Sequence, residues 1–362
     1  MTDTIQDIPI CPPQTAQLLT ERERIDYTGH RRDLLEWMLT RGKDPEMAEG
    51  YAQTTVENRA RYQDGFYRWV WNDRGYTTQI TADDCDQYIQ ELLLADHSRS
   101  YVENIAKTLQ MLTRWHRTAD EWEPDFTFSG AQQPQQPRDY LTREERRAVR
   151  EAALHLGSVP HYNALSPEER DVWKVHLARR FDKPAGHVGP DDFDRANGHK
   201  LPSLVWTSLD AGLRPIEVAR ARTSWVDVSN AVLRIPAEDS SKNTDNWRVS
   251  VRTETAEFLA AWLDERSLYP KYDDTDQLWL TRHNNPYESH ALAYVMDNLC
   301  EEAEIDRDLS WYAIRHSVGT YMTREEGLAA AQAQLRHQSP RTTMKYDQTP
   351  VEDRRDALDR MG

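Results

Sequence analysis

Long apolar runs are missing from this chain of 362 residues. No stretch approaches the roughly 18–20 consecutive apolar residues that a membrane helix needs, so no membrane span is expected. Residues 1–19 show no basic start followed by an apolar centre, so no secretory signal is expected either. Cysteine is scarce: Cys11, Cys85 and Cys300 are an odd set without CxxC spacing. That usage excludes a disulfide framework, argues against a zinc site and fits reduced thiols in a cytoplasm. Lysine is scarce too, supplying only eight of the 45 basic side chains.

What is abundant is negative charge. The formal net charge is −16 and the pI is near 5.2. Taken alone, that predicts repulsion from nucleic acid. Many carboxylates with few lysines also resemble the surfaces of proteins from salt-loving archaea, where an acidic face keeps the protein soluble and salt screens it. A merely acidic mesophilic protein is the alternative. At 38% hydrophobic and 29% charged residues the chain is globular, and its length suits two domains.

Residues 1–26 carry Pro9, Pro12 and Pro13 without periodicity and read as a flexible arm. Residues 27–118 read as a helical domain. Leu34, Leu35, Trp37 and Met38 mark one helix, and Tyr62, Phe66, Trp69 and Val70 lie on one face of a second. Thr81 with Asp84 opens a third, and Ser100 precedes a fourth. Residues 119–140, rich in proline and glutamine, read as a linker. Thr142 and Glu145 then start a new helix, and residues 141–349 form a second domain. Within it, residues 155–200 read as an insertion with one helix, opened by Ser166-Pro167, and long loops. Its histidines are spaced too irregularly for a metal site. Val232–Ile235 and residues 248–251 read as short strands flanking a polar loop. Residues 350–362 are a C-terminal tail.

Five short motifs stand in order along the second domain. Arg214 sits in Gly212-Leu213-Arg214 with Glu217 three residues on, at a junction made by Gly212 and Pro215. Lys242 lies in the polar loop between the two strands. Tyr312 precedes Arg315-His316 by three residues, and His337 precedes Tyr346 by nine. Across residues 312–346, Arg315, Arg324, Arg336, Arg341 and Lys345 outnumber Glu325 and Glu326, so this stretch is less acidic than the chain around it.

The set resembles the catalytic domain of tyrosine recombinases, the family of phage integrases and Xer-type enzymes. Its pattern is a Gly-Leu-Arg-x-x-Glu motif, a hairpin Lys, His-x-x-Arg-His, then Leu-Gly-His nine residues before a Tyr. The likeness covers about residues 140–350, and the helical region looks like the family's core-binding domain. Two positions depart: Tyr312 replaces the usual His, as in archaeal Tyr-x-x-Arg variants, and Arg336 replaces the usual Gly. The resemblance implies a mainly α fold with a small β-sheet, a helical core-binding domain and an α+β catalytic domain. It implies a site of Arg214, Lys242, Tyr312, Arg315, His337 and Tyr346, with no metal and no small-molecule cofactor. It implies double-stranded DNA as partner and a homo-tetramer on that DNA, with the tail docking on a neighbouring subunit or on its own.

The residue types suit that chemistry. Attack on a phosphodiester passes through a pentavalent, more negative transition state, which preorganised cations stabilise. Guanidiniums offer a planar fork to phosphate oxygens. A phenol with pKa near ~10 needs nearby positive charge or a base to attack. The leaving 5′ oxygen needs a proton, the expected task of Lys242. Two rival expectations remain: a type IB topoisomerase-like activity, which shares this chemistry, and a DNA-binding protein that has lost cleavage.

Overall fold

The computed structural model describes residues 3–116, 122–125, 139–240, 245–346, 355 and 358–361. The chain divides into two compact units, Met1–Gln135 and Gln136–Gly362. The first begins with a two-stranded ribbon, β1 (Thr4–Ile5) and β2 (Ile8–Pro9), followed by the single turn α1 (Pro13–Ala16). Four longer helices follow: α2 (Glu21–Thr40), α3 (Gln53–Arg74), α4 (Ala82–Leu94) and α5 (Arg99–His116). Thr20 with Glu23 and Thr81 with Asp84 close full capping boxes on α2 and α4, satisfying backbone donors that the first helical turn leaves open. Leu34, Leu35 and Met38 of α2 meet Phe66 and Val70 of α3 and Ile105, Leu109 and Leu112 of α5 in one core.

The expected flexible arm at 1–26 is corrected by this packing. Ile8 and Ile10 are buried in the same core, and α2 already begins at Glu21. The Thr15 hydroxyl donates to buried Asp64, and Arg31 Nε donates to the Ile10 carbonyl at 3.1 Å. These partners are distant in sequence, which is why local periodicity does not reveal them.

The second unit is mainly helical around one small sheet, the expected class. Its elements are α6 (Arg143–Leu156), α7 (Pro167–Arg180), α8 (Pro190–Asp194), α9 (Lys200–Ala211), α10 (Pro215–Arg220), β3 (Val226–Asp227), β4 (Val232–Ile235), β5 (Trp247–Ser250), α11 (Thr253–Arg266), α12 (Ser289–Glu302), α13 (Tyr312–Leu335) and α14 (Pro340–Thr343). A 3-10 turn, Met344–Tyr346, follows α14. The sheet is antiparallel in the order β3-β4-β5, with Val232 opposite Ser250 and Ile235 opposite Trp247. The second strand thus starts one residue earlier than its pattern suggests, although the Val251 N–H still bonds to the Ala231 carbonyl.

Helix α9 is the axis of the unit. It is buried almost all round and packs against α6, α11 and α13. A helix apolar on every side belongs in a core. Helix α13 breaks at Gly327, whose φ of +85° lies outside helical geometry. Residues 155–200 are more ordered than an insertion of long loops. They hold α7, α8 and two 3-10 turns around a separate core of Val159, Trp173, Leu177, Val188 and Phe193. Their histidines form no metal-type cluster among the described residues. No helix among the described residues is long and apolar enough to cross a membrane.

Candidate active site

The site is built where α9 stops. Gly212 ends the helix with φ +57°, and a β-carbon there would lie 2.7 Å from Leu335 Cδ2. Only glycine meets both the left-handed turn and the close approach. Arg214 is the N-cap of α10, with Pro215 at the first helical position. Its backbone N–H donates to the Glu217 carboxylate at 2.8 Å, and its Nη1 donates to the same group at 2.9 Å. Glu217 is fully buried. Burial by itself raises a carboxyl pKa, but the guanidinium of Arg336, then those of Arg214 and Arg315, hold Glu217 down at about 2.

Arg315 enters from the first turn of α13. It is buried, and it donates to the carbonyls of Gly212 and Leu335. Its Nη2 also lies 3.0 Å from His337 Nε2. Burial, aided by the like charges of Arg336 and Arg214, presses Arg315 down to about 9. It therefore stays cationic at neutral pH. A guanidinium only donates, so Nε2 of His337 is the acceptor and the ring proton sits on Nδ1. That nitrogen lies 2.9 Å from the Thr343 hydroxyl.

Tyr346 closes the pocket. It is buried to 8% exposure, and its ring stacks parallel to His337 with centroids 5.9 Å apart. Val318 and Leu335 pack with it. A β-carbon on Gly319 would stand 2.7 Å from the Tyr346 ring, so this glycine makes the seat for the phenol. His316 sits between the two tyrosines, its centroid 5.9 Å from that of Tyr346 and 6.1 Å from that of Tyr312. Tyr312 is 44% exposed. It is a rim residue and not part of the core.

Of the six expected site residues, Arg214, Arg315, His337 and Tyr346 lie in one linked cluster of side chains, and Tyr312 stands at its edge. Lys242 lies outside the described residues. The described residues that follow it do border His337: Asp245, Asn246 and Trp247 line a groove of about 580 Å³ together with His337 and Gln338. A larger groove of about 770 Å³ between α7 and α11 contains none of these residues. Most of the tail also lies outside the described residues; Leu358 and Met361 are exposed.

Sequence reasoning passed over three contributors. Thr343 fixes the His337 ring. His316 bridges the tyrosines, a contact implied by its i+4 spacing from Tyr312 on a helix. Arg336 stands where the resembled family usually has Gly. It adopts the left-handed conformation a glycine would, with φ +56° and ψ +51°, and its guanidinium forks onto Glu217 at 3.2 and 2.7 Å. The cluster thus gathers the guanidiniums of Arg214, Arg315 and Arg336 around the carboxylate of Glu217, an excess of positive charge among the described residues that suits a phosphate.

Residues 196–352 match the family model described as the phage integrase family. No curated protein matches the chain in sequence. Among solved structures, it is similar to the XerH site-specific recombinase bound to palindromic difH substrate in a post-cleavage complex. That match has a TM-score of 0.58 at 15% identity, over 95% of this chain and 90% of that one. It is also similar to the Tn1549 transposon integrase in complex with transposon right end DNA (TM-score 0.54, 12% identity, 90% of this chain and 98% of that one). A lambda integrase dimer bound to a COC′ core site matches with a TM-score of 0.52 at 13% identity, over 87% of this chain and 96% of that one. At such identities the likeness is one of fold. The matched family span contains Arg214, Lys242, Tyr312, Arg315, His337 and Tyr346.

Proposed function

We propose that this chain, which carries a phage integrase family domain over residues 196–352, is a site-specific DNA recombinase that cuts and rejoins strands through Tyr346. The observation that carries this reading is the gathering of Arg214, Arg315, His337 and Tyr346 in one cluster with an excess of guanidinium charge. The Tyr346 oxygen attacks the scissile phosphorus as its phenolic proton passes to solvent. Arg214 and Arg315 fork onto the non-bridging oxygens and stabilise the added negative charge. His337 Nε2 accepts from Arg315. Donating to the phosphate requires a second proton on the ring or release of that bond. Lys242, between β4 and β5 in the sequence, gives a proton to the leaving 5′ oxygen. The P–O5′ bond breaks as the P–O(Tyr) bond forms, leaving a 3′-phosphotyrosyl link and a free 5′ hydroxyl. Attack by a 5′ hydroxyl reverses the step, and no ATP is needed because the ester bond is conserved. Tyr312 offers a hydroxyl at the rim where the duplex backbone would pass.

The substrate in this reading is double-stranded DNA, held by four subunits that pair two sites and exchange strands. Integration of a mobile element or resolution of multimeric circles fits such an assembly, with the helical unit and the catalytic unit both gripping the duplex. The acidic surface favours working at high salt, where DNA repulsion is screened. The test is covalent trapping. Wild type and Tyr346→Phe are incubated at high KCl with nicked fragments from the gene's own neighbourhood, then denatured. The reading expects protein-linked DNA with wild type only. Tight binding by both proteins without an adduct would instead mark a non-cleaving DNA binder. Relaxation of supercoils by a monomer without site preference would mark a topoisomerase.

A further inference from the structure

Arg336 sits just after α13, in a left-handed backbone conformation that disfavours any residue with a β-carbon. Its side chain, 1% exposed, is held on every side. Nη1 donates to the carbonyls of Ala211 and Gln334, each at 2.8 Å, and Nη2 donates to the carbonyl of Gly212 at 3.1 Å. The remaining bonds go to Glu217. Glu217 in turn grips Arg214 by its backbone N–H and by Nη1. The Gly212 carbonyl also accepts from Arg315. Arg336 thus shares Glu217 with Arg214 and the Gly212 carbonyl with Arg315.

We propose that Arg336 is a positioning residue: through Glu217 and the carbonyls of Ala211 and Gly212 it fixes the guanidinium of Arg214 toward the scissile phosphate, without touching the substrate. The proposal rests on the recombinase reading of the same pocket.

Two physical points separate this role from plain stabilisation. A buried ion pair is a poor source of stability, because desolvation offsets much of its attraction and apolar residues of similar volume often do as well. It is a good source of defined geometry when all its bonds are made. Second, Glu217 faces three guanidiniums, those of Arg214, Arg315 and Arg336. With Arg336 bonded to both carboxylate oxygens, Arg214 commits Nη1 to Glu217, among the bonds of the described residues. The rest of its fork is then oriented for a phosphate. Without Arg336 each oxygen of the buried carboxylate loses one donor, and the free end of the Arg214 guanidinium would be drawn inward to replace it.

The test compares wild type, R336G and R336K on a nicked duplex that wild type converts to adduct. Glycine keeps the left-handed turn and removes the guanidinium; lysine keeps the charge and loses the fork. R336G is expected to bind the duplex within about twofold of wild type, yet form adduct on the order of 10- to 100-fold more slowly, the scale of a small misplacement of a reacting group. R336K should fall between the two. Crystal structures should show the Arg214 guanidinium displaced in both variants. Adduct formation at the wild-type rate, or a loss that only tracks weaker binding, would overturn the proposal. If R336G is unfolded at the assay temperature, R336K decides by the same criteria. If wild type itself forms no adduct, the recombinase reading fails separately. The Arg214 position then decides: displaced in R336K it upholds the bracing role, and unmoved it refutes it.

Discussion

Both units bury arginine, and the two burials differ in kind. In the helical unit, Arg31 spends Nε on the Ile10 carbonyl and Nη1 on the Ala60 carbonyl and the Gln63 amide oxygen. Its partners are neutral or already matched, and the result staples the N-terminal segment to α3. In the catalytic unit, Arg315 is buried beside two more guanidiniums; burial first, then those like charges, press down its affinity for the proton. Like charges gathered with one carboxylate are a poor arrangement for stability alone. Such local conflict is expected where function requires it. What distinguishes a site from a staple is therefore not burial of a charge but an imbalance of charge that an incoming anion would correct.

That contrast can be broken by paired substitutions. Arg315→Lys keeps a positive charge but removes the fork; it should slow adduct formation by about 10²–10³-fold, the range for loss of a transition-state donor. Amide hydrogen exchange in residues 3–40 should not change. Arg31→Met should do the reverse. Protection across residues 3–40 should fall by about 2–3 kcal/mol as the carbonyls of Ile10 and Ala60 lose their donor, while cleavage within the bound complex proceeds at the wild-type rate. If Arg31→Met slows cleavage as much as Arg315→Lys, the distinction between staple and site is wrong.

Acid sharpens the same comparison. Burial, then the neighbouring charges of His116 and Arg31, presses His30 down to about 4, and burial also lowers His116. A histidine held neutral in the fold contributes stability that is present above its unfolded pKa near ~6.5 and is lost as pH falls toward the folded value. The helical unit should thus lose on the order of 2–3 kcal/mol between pH ~6.5 and ~4. Glu217 has a folded pKa near 2, so its contribution persists above the ordinary carboxylate range and is lost only as pH falls from about 4.5 toward 2. Hydrogen exchange followed by mass spectrometry should therefore show α2 and α3 losing protection before α10 and the first half of α13. The reverse order would contradict the assignment of these shifts.

The smallest effect concerns the seat of Tyr346. Gly319→Ala pushes a methyl toward the ring and toward Leu335. Adduct formation should slow by about tenfold, the scale of a displaced nucleophile, with DNA binding unchanged. A wild-type rate would mean that the ring shifts without consequence.

Much of this was legible in the sequence, and the illegible parts share a cause. Capping boxes at Thr81, Thr142 and Ser166 mark helix starts because the partners are three residues apart. The Val232–Ile235 strand shows in its β-branched alternation. The pocket residues stand out because each sits in a short motif. What the sequence hides depends on distant partners. Ile8 and Ile10 are core only because α2 and α3 pack over them. The cluster of Trp173, Leu177 and Phe193 is spread across loops that break its periodicity. Arg336 reads as a misfit until Glu217, over a hundred positions away in the chain, appears beneath it.

The most direct measurement of the central claim is chemical. Protein–DNA adduct trapped on a nicked duplex would be digested with protease and nuclease, and the modified peptide sequenced by mass spectrometry. The account predicts one nucleotide joined through its 3′ phosphate to Tyr346, with a free 5′ hydroxyl on the released strand. A nucleotide on any other residue, or a 5′-phosphate linkage, would contradict it.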